Sequence, residues 1–437
     1  MLIRNISLIA LSILLVSCGA DETSVDKKPN VLFIISDDQK WDDFSFMGHD
    51  IVDTPNIDTL ASQSAVFENG YVPSSLCRPS LATITTGQYP HTHGITSNDP
   101  PEGVHRAQMI RFIARTHSLP RLLRRAGYTS FQSGKWWEAH YSSGGFTHGM
   151  TINNDNGRHG DRGLRIGRET MKPIKQFIDN NQSNPFFLWY APFLPHTPHN
   201  PPEEILSKYK KYDIDDDVAS YYAMIEWFDQ TVGNLVNHLE KRNLKENTII
   251  FFVIDNGWIE NVNREEGEFA FAPKSKRSPY DGGVRTPIMV RWPGHVEPGR
   301  RKELVSTIDF VPTVLDAVGL SVPEELPGKD LVSIAEGQSE REAIFGEIFT
   351  HDAVDLSRPE ASLKYRWVRE DEWKLIVSDS LDTMELYNIK KDPEEETNLI
   401  NERPKIAEEL ITRINTWWGP NVDLSMVDDT TFYGVQK

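Results

Sequence analysis

Cys77 is the residue whose type and neighbours most clearly suggest chemistry. It opens the run Cys-Arg-Pro-Ser-Leu-Ala-Thr-Ile-Thr-Thr, which is followed by Gly87. A glycine directly after such a run is typical of a helix C-terminus, so the sequence predicts a short helix with Cys77 in its first turn. Backbone N–H groups point outward there and favour negative charge. The position suits a nucleophile or a bound anion, and the alternative is a small buried cysteine.

Hard oxygen donors follow two apolar runs of the sequence. They are Asp37 and Asp38 after the run 30–36, and Asp255 and Asn256 after the run 248–254. Runs that are apolar throughout predict central parallel strands, whose carboxyl ends form the ligand-binding edge of an open α/β sheet. Carboxylate and amide oxygens without thiolate or imidazole favour calcium or magnesium over zinc. The alternative for the aspartate pair is a solvated helix cap.

The elements that must position these residues alternate along the chain. A third apolar run, 186–190, predicts another strand, and helical patterns cover 119–126, 168–180 and 216–242. Such alternation of strands and helices predicts a doubly wound α/β sheet.

Length and charge narrow the class of protein. The chain has 437 residues, of which 25% are charged and 38% hydrophobic, and its formal net charge is -18. This balance is typical of a globular protein, and the length allows one large domain or two unequal ones. The negative charge argues against bulk attraction to nucleic acid or to an anionic membrane, while a local basic pocket for an anion stays compatible with it. We therefore expect no nucleic-acid partner.

The N-terminus carries the pattern of an exported protein. Arg4 precedes the short apolar run 6–16, and the segment 15–18, Leu-Val-Ser-Cys, resembles a bacterial lipobox. The run is too short for a comfortable transmembrane helix. We predict a lipoprotein signal peptide over 1–18, a lipid on Cys18 that anchors the chain to a membrane, and a flexible tether over 19–28. The expected location is the bacterial outer membrane or cell surface. The periplasm is an alternative location, and an ordinary cleaved signal peptide is the alternative interpretation.

The run that begins at Cys77 resembles the signature of the type I sulfatases, C-x-P-S-R followed by T-G. Cys77, Pro79, Ser80 and Thr86-Gly87 match it, and Leu81 stands where the family has arginine. Other segments match further motifs in the family's order. They are Asp37-Asp38, Gly134-Lys135-Trp136, Pro195-His196, Asp255-Asn256, Lys276 with Tyr280-Asp281-Gly282-Gly283-Val284-Arg285-Thr286-Pro287, and Glu385-Leu386-Tyr387-Asn388 with Asp392-Pro393 and Asn398-Leu399.

This resemblance implies a fold of the alkaline phosphatase superfamily, an α/β/α sandwich with a smaller C-terminal α+β subdomain. We expect the catalytic domain over 29–339 and the subdomain over 340–437. Within the subdomain we expect strands over 367–377 and 384–389 and a packing helix over 405–418.

The resemblance also implies roles for single residues. Cys77 would be oxidised to formylglycine (3-oxoalanine) by a formylglycine-generating maturation enzyme and would then be the nucleophile. The residues that would hold one calcium ion are Asp37, Asp38, Cys77, Asp255 and Asn256. Lys135 and Lys276 would neutralise sulfate charge, and His196 would protonate the departing sugar oxygen.

Two positions depart from the family pattern. Leu81 cannot supply the positive charge of the family's arginine, which also belongs to the motif read by the maturation machinery, and Arg78 is a candidate replacement for that charge. Trp137 replaces the family's histidine after Gly-Lys-Trp. The candidates to act as a base in its place are His93, His140 and His159.

The predicted function is hydrolysis of sulfate esters on a sulfated polysaccharide or oligosaccharide, with release of inorganic sulfate. Eleven tryptophans suit a carbohydrate substrate, because aromatic faces stack on sugars, and algal ulvan is one candidate polymer. Two alternatives stay open. One is a phosphodiesterase or phosphonate monoester hydrolase of the same superfamily, and the other is an inactive glycan-binding relative.

Overall fold

The computed structural model describes residues 27–152, 158–258, 273–339, 341–380 and 383–418. The predicted signal peptide with Cys18, and the tether as far as residue 26, lie outside these described residues. Residue 340, where we expect the subdomain to begin, also lies outside them. Among the described helices, none combines the length and the apolar character that crossing a membrane requires.

Strands and helices alternate along most of the described chain. The strands are β1 Asn30–Ser36, β2 Ala65–Tyr71, β3 Thr129–Gly134, β4 His148–Gly149, β5 Phe186–Ala191, β6 Thr248–Ile254, β7 Arg285–Arg291, β8 Gly299–Ser306, β9 Ala343–Phe349, β10 Leu363–Glu370, β11 Trp373–Ser378 and β12 Met384–Asn388. The helices are α1 Pro55–Ser62, α2 Cys77–Thr86, α3 Pro90–His93, α4 Arg111–Arg115, α5 Leu119–Arg125, α6 Lys172–Asn180, α7 Glu203–Tyr209, α8 Asp216–Lys241, α9 Asp281–Val284, α10 Phe310–Ala317, α11 Leu331–Ala335 and α12 Pro404–Trp417.

The larger sheet has eight strands in the order β4-β3-β5-β1-β6-β7-β2-β8. Its central strands β5, β1 and β6 are parallel, and β7 runs antiparallel to both of its neighbours. The apolar runs that predicted β1, β5 and β6 lie at the centre of this sheet, where both faces are covered.

Two apolar layers cover the two faces of the larger sheet. On β1, Val31 and Phe33 join the layer that contains α2 and α10. Leu32 and Ile34 join the opposite layer, which contains α6 and α8. Successive side chains of a strand point to opposite faces, so a strand between two helical layers must be apolar at every position. The α/β/α sandwich expected from the sequence is confirmed.

A second, antiparallel sheet follows in the order β12-β11-β10-β9, and α12 packs against it. Our expectation of one strand over 367–377 was wrong, because two strands, β10 and β11, meet there in a hairpin. Glu370 pairs with Trp373, so Asp371 and Glu372 form the turn, and Asp371 adopts a positive φ of 48°. The turn was missed because its two residues are not the Asn-Gly or Asp-Gly pair that usually marks a tight hairpin.

Buried charges join the second sheet to the first. Lys374 on β11 is fully buried, and its Nζ lies 2.8 Å from Asp281 Oδ1 and 2.9 Å from Glu395 Oε1. The Tyr71 hydroxyl on β2 donates to Asp281 Oδ2 at 2.9 Å. Asp281 begins α9, a few residues after Lys276, so this network fixes the segment that carries a predicted site lysine.

We expect Lys374→Met to lower the free energy of unfolding by about 3–5 kcal/mol, because it leaves two buried carboxylates without their cation. Urea unfolding followed by tryptophan fluorescence measures the change. Lys391→Met, at an exposed position, is the matched control. A loss below about 1 kcal/mol, the value typical of a surface ion pair, would contradict a structural role for the network.

Candidate active site

The site forms where β1 and β6 end side by side. These strands are parallel, and Ser36 pairs with Ile254 in register, so Asp37-Asp38 and Asp255-Asn256 leave the sheet at one edge. All four side chains are buried. The Asp38 N–H donates to Asp255 Oδ1 at 3.0 Å, and Asn256 Nδ2 donates to Asp38 Oδ1 at 2.7 Å. The structure thus brings the predicted oxygen donors together.

Cys77 is the first residue of α2, as the sequence predicts, and it is 1% exposed. Its Sγ lies 3.6 Å from Asp38 Oδ1 and 3.2 Å from Lys276 Nζ. Burial raises the pKa of the Cys77 thiol to about 12, despite Lys135 and Lys276 nearby. The unmodified side chain is therefore held as a thiol at neutral pH.

Lys135 enters the site directly after β3. The preceding Gly134 has a positive φ of 83°, and a Cβ there would lie 1.8 Å from the Ala191 carbonyl oxygen, so only glycine fits. The Lys135 ammonium contacts Asp37 Oδ1 and lies 3.4 Å from Asp255 Oδ2. Burial acts to lower the pKa of Lys135, but the carboxylates of Asp37, Asp255 and Asp38 outweigh it, so the pKa lies well above its ordinary value.

Lys276 pairs with the other aspartate of the site. Its Nζ lies 2.5 Å from each carboxylate oxygen of Asp38, and the Lys276 side chain is 6% exposed. The site therefore pairs two ammonium groups, Lys135 and Lys276, with three carboxylates.

Two buried oxygen atoms of the site, Asp37 Oδ2 and Asn256 Oδ1, have no hydrogen-bond partner among the described residues. Both are acceptors, so the group that would satisfy them is a cation or a hydrogen-bond donor. Burial also raises the pKa of Asp37 well above its usual value. A hard divalent cation would offset this cost, so the residues present fit the metal that the sequence predicts.

His196 follows β5 and faces the same centre. Its Nδ1 lies 2.6 Å from the Thr197 carbonyl oxygen, which only accepts, so Nδ1 carries a proton. Its Nε2 lies 3.4 Å from Asp38 Oδ2. Ligand atoms of Asp37, Asp38, Cys77 and His196 lie within 4.8 Å of one another. The imidazole therefore presents Nε2 to the point where the charged groups meet.

Arg78 does not reach this centre. Its Nε and Nη2 donate to the two carboxylate oxygens of Glu138 at 2.7 and 2.9 Å, and its Nη1 donates to the Ser97 carbonyl. The interpretation that Arg78 replaces the missing arginine is therefore wrong, because a bidentate buried ion pair already fixes its guanidinium. Leu81 is 2% exposed and packs in the apolar core.

Of the three candidate histidines, the structure brings only His159 close to the site. Its ring lies 5.4 Å from the His196 ring and 4.4 Å from Trp137, the residue in the family histidine's place. His93 is buried, with its Nε2 3.3 Å from Thr83 Oγ1. His140 bonds to Ser142 at the start of a short helical turn.

Basic residues beside the centre were missed from the sequence. Arg277 lines a cleft together with Lys276, and its backbone N–H donates to Ser75 Oγ, two residues before Cys77. Arg106 lies over the Trp137 ring at 4.9 Å. Arg277 directly follows Lys276, and that adjacency is the one signal that could have indicated it.

Comparison with known families gives two matches. Residues 29–320 match the sulfatase family, and residues 267–417 match the C-terminal region of N-sulphoglucosamine sulphohydrolase. The chain is 25% identical to an N-acetylglucosamine-6-O-sulfatase of Bacteroides thetaiotaomicron, over 88% of this chain and 85% of that protein. It is 27% identical to the N-acetylgalactosamine-6-sulfatase of Canis lupus familiaris, over 83% of this chain and 76% of that protein.

Solved structures share the fold. The crystal structure of Ps i-CgsB superposes with a TM-score of 0.75 at 25% identity and covers 90% of this chain and 94% of that one. A phosphonate monoester hydrolase of Agrobacterium radiobacter superposes with a TM-score of 0.68 at 20% identity, covering 89% and 96%. This second likeness shows the fold alone, so the fold by itself does not separate sulfate from phosphonate esters.

We expect Ca²⁺ added to chelator-treated protein to raise the midpoint of thermal unfolding by several degrees, because a ligand at 100 times its Kd stabilises the folded state by about 2.7 kcal/mol. Asp255→Ala should fold and lose this shift, while the exposed Asp316→Ala keeps it. Differential scanning calorimetry measures both. Stoichiometric zinc in the purified protein, or an unchanged Ca²⁺ response in Asp255→Ala, would contradict the assignment.

Proposed function

The chain belongs to the sulfatase family of sulfuric ester hydrolases, and on this premise we propose that it removes sulfate esters from a sulfated polysaccharide or oligosaccharide. The names of its relatives describe sulfatases of amino sugars, which supports a carbohydrate substrate. Ulvan stays a prediction about the polymer.

The observation that carries the proposal is the convergence of charge at Cys77. Two buried ammonium groups, Lys135 and Lys276, and the imidazole of His196 meet at the first residue of a helix. A sulfate ester is anionic and repels nucleophiles, so positive groups around its oxygens lower the barrier to attack. Lys276 Nζ, 3.2 Å from Cys77 Sγ, is near enough to touch both the nucleophile and the sulfate.

We propose that position 77 acts as formylglycine, made by a maturation enzyme, and that the metal is calcium. The hydrated aldehyde would supply the attacking hydroxyl, and calcium on Asp37, Asp38, Asp255 and Asn256 would lower its pKa and orient the sulfate. The match of Cys77, Pro79 and Ser80 to the family's signature supports the modification, and the two oxygens of the site that have no partner among the described residues support the cation.

The chain's own side chains perform the remaining tasks. Lys135 and Lys276 neutralise the sulfate oxygens. The Nδ1 proton of His196 is committed to the Thr197 carbonyl, so His196 can act as the acid only in its imidazolium form, with a second proton on the Nε2 that faces the departing sugar oxygen. Burial disfavours that form by lowering the pKa of His196, and the carboxylate of Asp38 favours it. His159 stands beside Trp137 and His196, so we assign it the role of the family's missing histidine.

We expect Cys77→Ala to lower turnover of a sulfated oligosaccharide by a factor of roughly 10⁴ or more, because removing the nucleophile removes the reaction path. Ion chromatography of released sulfate measures it, and circular dichroism verifies the fold. Wild-type turnover by a folded Cys77→Ala protein would contradict the mechanism.

The wild-type protein also separates the alternative functions. A preference for a phosphonate monoester over a sulfate ester would favour the phosphonate hydrolase, and no turnover of either ester by matured protein would favour the inactive glycan-binding relative.

We further propose that the protein is an exported lipoprotein, anchored through Cys18 at the bacterial outer membrane or cell surface. Cys18→Ser, which changes the chain's other cysteine, should end incorporation of labelled palmitate and leave sulfate release at the wild-type rate. A wild-type protein that never incorporates palmitate would contradict the anchor.

A further inference from the structure

A cleft of about 480 Å³ opens beside the reaction centre, between the segment that follows Lys276 and the facing ends of β9 and β10. This volume lies within the range of about 300–1,000 Å³ that is usual for small-molecule sites. Its lining includes Lys276, Arg277, Tyr280, His351, Lys364 and Tyr365. The second sheet therefore contributes one wall and the site segment the other.

The cleft and the reaction centre have Lys276 in common. Lys276 lines the cleft and also lies 3.2 Å from Cys77 Sγ. The Arg277 N–H donates to Ser75 Oγ at 2.8 Å, so the backbone of this segment is fixed to the residues that precede the nucleophile. A substrate with its sulfate at position 77 would therefore extend its next part into the cleft.

The lining is positively charged in a chain that is strongly negative. Lys276, Arg277 and Lys364 are its cations, and no carboxylate is among the described residues that line it. The chain as a whole carries a net charge of -18. The ring of His351 lies 2.6 Å from Asp352 Oδ1, so that histidine already has an acidic partner. A cluster of cations on such a surface attracts anions.

Lys364 has no evident use in the reaction centre or in the fold. It is exposed on β10, and the described residues give its ammonium no carboxylate partner. Its Nζ lies 5.8 Å from the centroid of the Tyr365 ring, which also lines the cleft. A second ring, Tyr280, is held by a hydrogen bond from its hydroxyl to Glu385 at 2.6 Å. Tyrosine rings beside cations suit an anionic sugar.

We infer that this cleft binds a second anionic group, a sulfate or a carboxylate, on the sugar next to the one that loses its sulfate. The inference rests on the proposed function and narrows its substrate to an oligosaccharide with more than one negative charge. Arg277 and Lys364 are the residues that recognise the second group, and a guanidinium can bind either anion through two parallel hydrogen bonds.

Steady-state kinetics on substrates that differ in their number of charged groups tests whether the cleft binds a second anionic group. The substrates are a disaccharide whose only charge is one sulfate, the same disaccharide with a second sulfate, a monosulfated disaccharide with a uronate, and an aryl monosulfate. The wild-type enzyme should prefer one or both of the doubly charged disaccharides to the singly charged one, and the preferred one identifies the second group. For each variant, kcat/KM on that disaccharide is divided by kcat/KM on the aryl sulfate. Lys364→Gln should lower this ratio about tenfold, as expected for a lost charge-assisted hydrogen bond.

The control is Lys241→Gln, which makes the same change of charge on an exposed residue at the end of α8. It should leave that ratio within about twofold of wild type. The inference is overturned if the wild-type enzyme has the same kcat/KM for the singly charged disaccharide and for both doubly charged ones. It is also overturned if Lys364→Gln lowers kcat/KM equally on the disaccharide and on the aryl sulfate.

Binding to the Cys77→Ala protein separates this inference from the proposed function, because it needs no turnover. Isothermal titration should show that this protein binds the preferred doubly charged disaccharide at least about tenfold more tightly than the singly charged one. Adding Lys364→Gln to the Cys77→Ala protein should remove this difference in affinity. If both ligands bind equally, the cleft has no second anion site even though aryl sulfate is hydrolysed. If the difference is present and no sulfate ester is hydrolysed, the proposed reaction fails and the anion site stands.

Discussion

The structure depends on the burial of five charged side chains in one place. Asp37, Asp38 and Asp255 are buried together with Lys135 and Lys276. Each of these charges alone would be costly to remove from water, and they are tolerable only because each has an opposite charge within hydrogen-bond reach. The arrangement still leaves two acceptor oxygens without partners among the described residues. These are the features that a divalent cation would complete.

The fold supplies this charge cluster by bringing the ends of separate elements to one edge. Parallel strands β1 and β6 end in register, β3 ends at a glycine that lets the chain turn toward the centre, and α2 begins there. The second sheet contributes to the site indirectly. Its Lys374 fixes Asp281, shortly after Lys276, and its strands β9 and β10 form a wall of the basic cleft. The smaller sheet therefore both stabilises the site and extends it toward the rest of a substrate.

Much of this could be read from the sequence, because buried parallel strands and helix ends have strong local patterns. The predicted bounds of β1 and β6 agree with the structure, and α2 ends at Gly87 with a left-handed φ of 71°. The reversed strand β7, its neighbour β2 and the edge strand β8 lack such a pattern, since part of each is polar or partly exposed. The ion pair of Arg78 could not be predicted either, because its partner Glu138 is distant in sequence. The cleft was missed for the same reason, as its two walls come from residues far apart along the chain.

The central claim is that position 77 is a modified nucleophile at the middle of a buried charge cluster. Mass spectrometry of the peptide that contains position 77, taken from active protein made in its native host, tests it most directly. We predict that this residue has lost its sulfur and carries an aldehyde that reacts with a hydrazide probe. A fully active protein whose peptide carries only an unmodified cysteine thiol at position 77 would contradict it.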